Sequence, residues 1–402
     1  MYSLDGNGIR NMIYGATIFG GGGGGACESG EMALDQFKDD HGIVDDADLM
    51  VQVMAPEEMD DTGYACCTAA MGAPTKFKEV RIAPYINGSF DHLCKMAEAK
   101  RKSINYSISV EIGGFNTLVP LLVAMEKGIP FIDADGTGRA VPALDTLLLH
   151  INGLQTSPLA MSDNKGNRVS IELENARDAV MGEIIGRNLC VAFSQMGGLS
   201  GWMVRKNDIL NNLPSGSVTK CCKVGEILRS ATSSVGIFDT LAAAGLECKE
   251  IGRGTVTRVH NEQASGFDKG FVEITSANGK KWTTHFLNEN LILEETGPDG
   301  SVKTIMTAPD ITCYINADTC APLSNADIVG KNGEILVKNV IIGVMKVDEK
   351  WWRSDLAYLQ KIWARYFEIL GKPDQTIVKY ESVNDSYKGR HLIGAFPFSK
   401  GK

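Results

Sequence analysis

Six consecutive glycines at residues 20–25 are the first feature of this sequence that points to chemistry. Successive backbone N–H groups in such a loop, ahead of a helix, can hold a phosphate, a carboxylate or an oxyanion. A dinucleotide fingerprint would need a preceding strand, and Ala26 and Cys27 stand where a P-loop has Lys and Ser or Thr. We expect a backbone-lined substrate or anion site, with a structural turn as the alternative, formed by Gly22, Gly23, Gly24 and Gly25.

Acidic residues follow two predicted strands, in Glu111-Ile-Gly-Gly-Phe-Asn116 and in Asp133-Ala-Asp135-Gly-Thr-Gly-Arg139. Ligands of open parallel sheets bind beyond the carboxyl ends of the strands, so we expect Glu111, Asp133 and Asp135 to converge on one crevice. Such carboxylates suit general acid–base catalysis or a divalent metal ion, and Arg139 can hold a substrate oxygen. The structural alternative is that Asp133 caps the next helix while Asp135 and Arg139 form an ion pair.

A polar cluster, Asn288-Glu289-Asn290, interrupts an apolar β segment. Because buried polar groups cost free energy unless they are paired, this cluster is either a turn or a projection into an interdomain cleft, where Asn288 and Glu289 would bind substrate. His285 is the histidine nearest such a site, and none of the six histidines has H-x-H or H-x-x-x-H spacing. Cys27 follows the glycines, where a helix N-terminus would lower its pKa; an inert small side chain is the alternative.

Composition narrows the class of protein. The 402 residues contain 40 Lys and Arg against 49 Asp and Glu, a net charge of −9, and no long basic run offsets it. This balance disfavours nucleic acid and anionic membranes as partners. Ten cysteines without a C-x2-C pair indicate reduced thiols rather than a structural zinc site, and no apolar run reaches the ~18 residues of a membrane span. We expect a cytoplasmic protein that binds a small molecule; a homo-oligomer stays open.

The elements that must position these residues alternate between helix and strand in the first half of the chain. Ile9, Met12, Ile13, Ala16 and Phe19 recur with a helical period, so the glycines join this helix to another, capped at Ser29. Short apolar strands then alternate with helices, one of them capped at Ser89. This alternation predicts an α/β domain with a mainly parallel sheet and an antiparallel addition at residues 159–173.

Hairpin signals replace helices after residue 251. Asn278-Gly279, Asp299-Gly300 and Asn332-Gly333 mark turns between apolar segments, which is typical of an antiparallel β sandwich or barrel. A final helix with an aromatic stripe covers Trp351 to Leu370. We therefore divide the chain into an α/β domain (residues 1–172), a helical or mixed connecting region (173–250), an all-β domain (251–347), and a C-terminal helix and tail (348–402).

Several of these motifs occur together, and in the same order, in a known family. The chain resembles the S-methyl thiohydantoin desulfurase-like family over roughly residues 8–345. Its loop is all glycine, whereas the family usually has Gly-Thr-Gly-Gly-Gly-Gly followed by Asp-Pro. The motifs that carry the resemblance are the glycine loop, Met71-Gly-Ala-Pro74, Glu111 to Asn116, Asp133 to Pro142, Pro214-Ser-Gly216, Ser265-Gly-Phe267, Phe286 to Leu291 and Ala308-Pro-Asp-Ile311.

The resemblance implies an N-terminal α/β domain, a β-containing C-terminal domain and small cyclic ureide-like substrates. It suggests a hydrolase of a hydantoin-like or S-methyl thiohydantoin-like ring, with its site in the interdomain cleft. Asp135 or Glu111 would be the general base, with or without a divalent metal ion, and Arg139 and Asn116 would orient the ring. The alternative is a non-catalytic small-molecule-binding or hydantoinase-accessory protein.

Overall fold

The structure, a computed structural model, describes residues 1–72, 80–264 and 267–380. Parts of two predicted motifs (Ala73-Pro74 and Ser265-Gly266) and the tail beyond residue 380, which includes His391, lie outside this range. The helices within it are α1 (Gly6–Phe19), α2 (Cys27–His41), α3 (Ala83–Ala99), α4 (Leu118–Lys127), α5 (Leu148–Ile151), α6 (Ala179–Ala192), α7 (Lys206–Asn212), α8 (Ser217–Ser230), α9 (Ile237–Ala243), α10 (Asn325–Ile328) and α11 (Leu356–Ile369).

The strands form two sheets. The strands of the first sheet are β1 (Tyr2–Asp5), β2 (Met50–Met54), β3 (Tyr64–Gly72), β4 (Ile104–Ser109), β5 (Phe131–Asp135), β6 (Leu159–Ser162), β7 (Arg168–Ile171) and β8 (Met196–Val204). The strands of the second sheet are β9 (Cys248–Ala264), β10 (Phe267–Thr275), β11 (Lys281–Leu287), β12 (Glu289–Thr296), β13 (Val302–Thr307), β14 (Ile311–Asn316), β15 (Pro322–Leu323) and β16 (Asn339–Met345).

The first sheet has the order β1-β2-β5-β4-β3-β8-β6-β7. Strands β2, β5, β4 and β3 run parallel, while the remaining pairings are antiparallel, so the sheet is mixed. The predicted fold class, an α/β N-terminal part with a C-terminal part rich in antiparallel β, is confirmed. The helix–loop–helix around the glycines and the antiparallel β6–β7 pair are also present.

Strand β8 lies inside the region that the sequence assigned to a helical or mixed connection. Its glycines conceal the strand pattern, because glycine is unfavourable in strands. They are required by close neighbours: a Cβ on Gly198 would lie 2.0 Å from the Tyr85 carbonyl oxygen, and one on Gly201 would lie 2.2 Å from a Leu159 methyl carbon. Tertiary packing therefore selects residues that hide the strand from sequence analysis.

Three predicted helix starts are wrong. The final helix, predicted from Trp351, begins at Leu356, after a short 3₁₀ helix over Glu349–Arg353. Helix α2 begins at Cys27, with Ala26 and not Ser29 as its N-cap. Helix α3 begins at Ala83, six residues before Ser89, with Pro84 in its first turn. Proline is favoured at the start of a helix because its missing N–H would have no partner there. The Ser89 hydroxyl instead donates to the Ile86 carbonyl inside the helix.

The second sheet is antiparallel throughout, in the order β13-β12-β11-β10-β9-β16-β14-β15. The sheet curls, which brings β12 and β14 close together although they are not neighbours in this order. The Asn290 side chain on β12 donates to the Thr312 carbonyl on β14 (3.0 Å). The curled sheet encloses an apolar core that includes Val272, Trp282 and Tyr314. The β-rich region is thus an antiparallel sheet curling toward a barrel.

Backbone contacts place the glycine loop between the two sheets. Helices α1 and α8 approach so closely that a Cβ on Gly15 would lie 1.9 Å from the Cys221 carbonyl oxygen, and one on Gly225 would lie 1.7 Å from that of Asn11. This packing fixes the end of α1, from which the loop leaves toward the second sheet. No helix in the described ranges combines the length and the apolar character needed to cross a bilayer.

Candidate functional site

The second sheet holds one side of the glycine loop. The backbone N–H of Asn290, at the start of β12, donates to the Gly21 carbonyl (2.8 Å), and that of Asn325, in α10, donates to the Gly22 carbonyl (2.7 Å). A Cβ on Gly22 would lie within 2.7 Å of the amide nitrogens of both asparagines. The absence of side chains in the loop thus lets the C-terminal domain contact its backbone directly.

The first sheet holds the other side. The Gly24 carbonyl accepts the N–H groups of Phe115 and Asn116, each at 3.1 Å. A Cβ on Gly24 would lie 2.6 Å from the Gly113 Cα, and Gly24 has φ +69°, a conformation that favours glycine. The loop and the Glu111–Asn116 motif therefore pack directly against each other. The predicted site requires this contact, because it contains residues of both.

Glu289 lies against this loop with 3% of its surface exposed. A Cβ on Gly23 would lie 2.1 Å from its Oε1 atom, and the Gly24 N–H donates to its carboxyl group. Its Oε2 atom has no hydrogen-bond partner among the described residues. Burial, followed by the negative charge of Glu111, raises the pKa of Glu289 well above 4.5, so its surroundings favour the protonated form of this carboxyl group.

Glu111 follows β4, and each of its carboxyl oxygens accepts a hydrogen bond. The Asn116 side chain donates to its Oε1, and the Val141 N–H donates to its Oε2 at 2.8 Å. Burial raises the pKa of Glu111 to about 7; the two hydrogen bonds oppose this shift and the charge of Glu183 adds to it. The site therefore brings together two buried carboxyl groups from different domains whose charges interact, and burial raises the pKa of both.

Asp133 and Asp135 bind the start of α8. Asp133 accepts the N–H groups of Val218 (2.8 Å) and Thr219 (3.1 Å) and the hydroxyl of Thr219 (2.5 Å). Asp135, which is fully buried, accepts the hydroxyl of Ser217 and two N–H groups of its own turn. These donors occupy both oxygens of each carboxyl group and satisfy N–H groups that a helix N-terminus leaves free.

Arg139 is fully buried and binds backbone carbonyls of the second domain. Its Nη1 donates to Pro309 (2.8 Å) and Asp310 (2.9 Å), and its Nη2 donates to Asn290 (3.2 Å). Its Nε donates to the Ala140 carbonyl at 2.7 Å. The predicted alternative of an ion pair with Asp135 is wrong, since the Asp135 carboxyl group faces the start of α8 instead. Arg139 thus fastens the Asp133–Pro142 motif to the β12 and β14 ends.

The Asn288-Glu289-Asn290 cluster contains the turn that is one of its two predicted arrangements. Asn288 has φ +58° and forms the turn between β11 and β12, with its Oδ1 accepting the Asp268 N–H at 2.9 Å. Glu289 and Asn290 then face the glycine loop. Sequence analysis did not single out Asn325, because Ser324-Asn-Ala-Asp327 has the pattern of a helix start, and this motif does form a capping box.

Two further expectations concern Cys27 and His285. The predicted lowering of the Cys27 pKa is wrong: burial, followed by the charges of Glu31 and Asp327, raises the pKa of this thiol to about 12. His285 lies away from the loop, where its Nε2 is 2.8 Å from a Glu294 oxygen. Cys27 is therefore a thiol and not a thiolate at neutral pH, consistent with the inert alternative.

A small opening of about 20 Å³, room for about one water molecule, is lined by residues of both domains. Its lining includes Phe19, Ile112, Gly138, Lys220 and Lys346. The described part of the chain contains no group of three or more His, Cys, Asp and Glu side chains suited to hold a metal ion. The candidate site thus consists of the carboxyl pair and the glycine loop, neither of which lines this opening.

Comparisons with known proteins identify the family. Models of the S-Me-THD-like N-terminal and C-terminal domains match residues 7–173 and 177–355. No curated protein matches the chain. The crystal structure of a protein from Chromobacterium violaceum has a TM-score of 0.79 and 22% sequence identity, over 94% of this chain and 100% of that chain, which supports the fold. Because the two family models span most of its length, the chain belongs to the S-Me-THD-like family, the S-methyl thiohydantoin desulfurase-like family that its motifs resemble.

Proposed function

We propose that the protein is a hydrolase of S-methyl thiohydantoin-like or hydantoin-like rings, with Glu111 and Glu289 as its acid–base pair. The observation that carries this proposal is the unpartnered Oε2 of Glu289, a buried carboxyl oxygen beside a second carboxyl group and a loop without side chains. Buried polar atoms in folded proteins are generally paired, so an unpaired one is evidence of a ligand position. The family membership supports the ring class.

Glu111 is the general base in this proposal. Its carboxylate form is stabilised by the donors Asn116 and Val141, and its pKa of about 7 matches the pH at which a base works best. Glu289 is the general acid, because burial and the charge of Glu111 keep its proton in place. Two carboxyl groups whose environments separate their pKa values have the arrangement of an acid–base pair.

The reaction needs one proton accepted and one donated. Water attacks the ring carbon that bears the S-methyl group while Glu111 takes a proton from the water. The carbon–sulfur bond then breaks, and Glu289 protonates the departing methylthiolate, so that methanethiol leaves. The hydroxyl proton moves to the adjacent ring nitrogen as the ring carbon becomes a carbonyl. Proton transfer from Glu111 back to Glu289 restores the starting state. On a hydantoin, the same steps would break a ring C–N bond and protonate its nitrogen.

The remaining predicted catalytic residues are positioning residues in this proposal. Asp133 and Asp135 attach β5 to α8, and Arg139 attaches the same segment to the second domain. Asn116 donates to Glu111 and so orients the base. Gly24 donates to Glu289, which gives the loop a role in placing the acid.

Turnover of a ring panel tests the proposal. Purified protein is incubated with an S-methyl thiohydantoin and with hydantoin, and thiol release and ring opening are measured. We expect Glu111→Gln and Glu289→Gln each to lower kcat/KM by about 10²- to 10⁴-fold, while the exposed control Glu57→Gln leaves it unchanged. Wild-type turnover in both site variants refutes the assigned pair. Ring binding without turnover by the wild-type protein would support the non-catalytic alternative.

A further inference from the structure

Two buried asparagine side chains beside the loop have a fixed orientation. The Asn290 Nδ2 donates to the Thr312 carbonyl (3.0 Å), and the Asn325 Nδ2 donates to the Asn288 carbonyl (2.9 Å). Rotating either amide by 180° would place its oxygen against a carbonyl oxygen, where no hydrogen bond can form. Asn290 is 1% exposed and Asn325 is 6% exposed, so packing also restricts them. Each side chain therefore presents its Oδ1 as an acceptor in a fixed position, and its Nδ2 keeps one further hydrogen.

Neither of these amide oxygens has a partner in the described part of the chain. Both residues touch the glycine loop through their backbone N–H groups, and both amide nitrogens approach the same side of Gly22. The Oε2 atom of the neighbouring Glu289 likewise has no partner among the described residues. The site thus offers two amide oxygens as acceptors beside an unpartnered carboxyl oxygen.

We infer that Asn290 and Asn325 select a ligand with unsubstituted ring N–H groups, which donate to the two amide oxygens. A ligand of the same shape that carries only acceptors, such as a cyclic ester or carbonate, would leave both oxygens unpaired, and desolvating them without a partner is unfavourable. An N-alkylated ring would remove the donor and add bulk. This inference deepens the proposed function and rests on it for the position of the ring.

Three five-membered rings test this selection without any turnover. Imidazolidin-2-one carries two N–H donors, ethylene carbonate replaces both N–H groups by oxygen with no added bulk, and 1,3-dimethylimidazolidin-2-one replaces both hydrogens by methyl groups. Binding to the full chain is measured by ligand-observed NMR. We expect imidazolidin-2-one to bind at least 10-fold more tightly than either of the other rings. Equal affinities overturn the inference, and so does the absence of binding by all three rings.

Variants test whether the Asn290 and Asn325 side chains cause the preference for imidazolidin-2-one. Asn325→Ala and Asn290→Ala each remove one acceptor, so we expect the preference for imidazolidin-2-one over ethylene carbonate to fall at least threefold, whereas the exposed control Asn332→Ala keeps it. Circular dichroism confirms that each variant is folded, and Asn325→Val, which has no side-chain acceptor, is the second variant if an alanine variant is unfolded. An unchanged preference in folded variants of both residues contradicts the inference.

Turnover of hydantoin and of the S-methyl thiohydantoin is measured in parallel. Selective binding of imidazolidin-2-one together with no turnover of either ring would refute the hydrolase and keep the donor selection. Turnover of either ring, together with equal binding of the three five-membered test rings, would support the hydrolase and refute the donor selection.

Discussion

Replacing Glu289 by Gln is expected to stabilise the protein and inactivate it. The two side chains have nearly the same size, so the contact with the glycine loop at Gly23 is preserved. The substitution removes a carboxyl group whose pKa burial raises well above 4.5. Because a structural residue would lose stability on the same replacement, opposite effects on stability and activity distinguish a functional acid from a packing residue.

The size of the stability change follows from proton linkage. In the unfolded chain the carboxyl group releases its proton near pH 4.5, whereas the folded protein keeps it. Between these two pKa values the folded state binds one proton more, so the wild-type free energy of unfolding falls by about 1.4 kcal/mol for each pH unit. The Glu289→Gln variant has no carboxyl group at this position, so its free energy of unfolding does not fall with pH for this reason. The stability of the variant relative to the wild type should therefore rise with pH above about 4.5, over the range in which the folded wild type keeps the proton.

Denaturant titrations at pH 5, 6 and 7, followed by tryptophan fluorescence, measure this difference. The midpoint of the variant should exceed that of the wild type, and the gap should widen as the pH rises. The control Glu57→Gln, at an exposed position, should show a constant difference. A gap that closes with rising pH would mean that Glu289 is ionised in the folded protein, and the assignment of the general acid would then fail.

Three other predictions concern the same site. Activity should rise with pH through about 7, as Glu111 ionises, and fall at higher pH as Glu289 loses its proton, which a pH profile of kcat/KM will show. Gly23→Ala should lower kcat/KM at least tenfold, because its Cβ would lie 2.1 Å from the Glu289 Oε1, and an exposed-turn Gly166→Ala serves as the control assayed beside it. Asp133→Asn should cost about 1–3 kcal/mol of stability in denaturant titrations yet change kcat/KM less than threefold; a larger loss of activity at unchanged stability would contradict its assignment as a positioning residue.

Local signals in the sequence were enough for the fold class and for part of the site. The period of α1 and the glycines after it predicted the helix–loop–helix, and Asn278-Gly279 predicted a hairpin that the structure contains between β10 and β11. The Glu111–Asn116 and Asp133–Pro142 motifs do lie at one edge of the first sheet and contact each other, since the Arg139 carbonyl accepts the Ile112 N–H (3.2 Å). These features depend on residues close together in the chain.

The tertiary structure decides the role of each carboxyl group. Asp133 and Glu111 both end predicted strands, and nothing in their local sequence separates them. Asp133 lies beside the start of a helix 85 residues later in the chain, whose N–H groups satisfy it. Glu111 lies close enough to Glu289, from the other domain, for their charges to interact, and the Oε2 of Glu289 has no hydrogen-bond partner in the part of the chain that the structure describes.

By itself, then, the sequence determined the elements, the loop without side chains and the acidic residues near it, because periodicity and turn chemistry are properties of neighbouring residues. Only the tertiary structure decided which of these acidic residues are satisfied, and it brought Asn325 to the loop. The burial and the hydrogen-bond partners of a polar group depend on segments far apart in the chain. The burial that raises the pKa of Glu111 and Glu289, and the hydrogen bonds that oppose this effect at Asp133, therefore appear only once distant segments pack against each other.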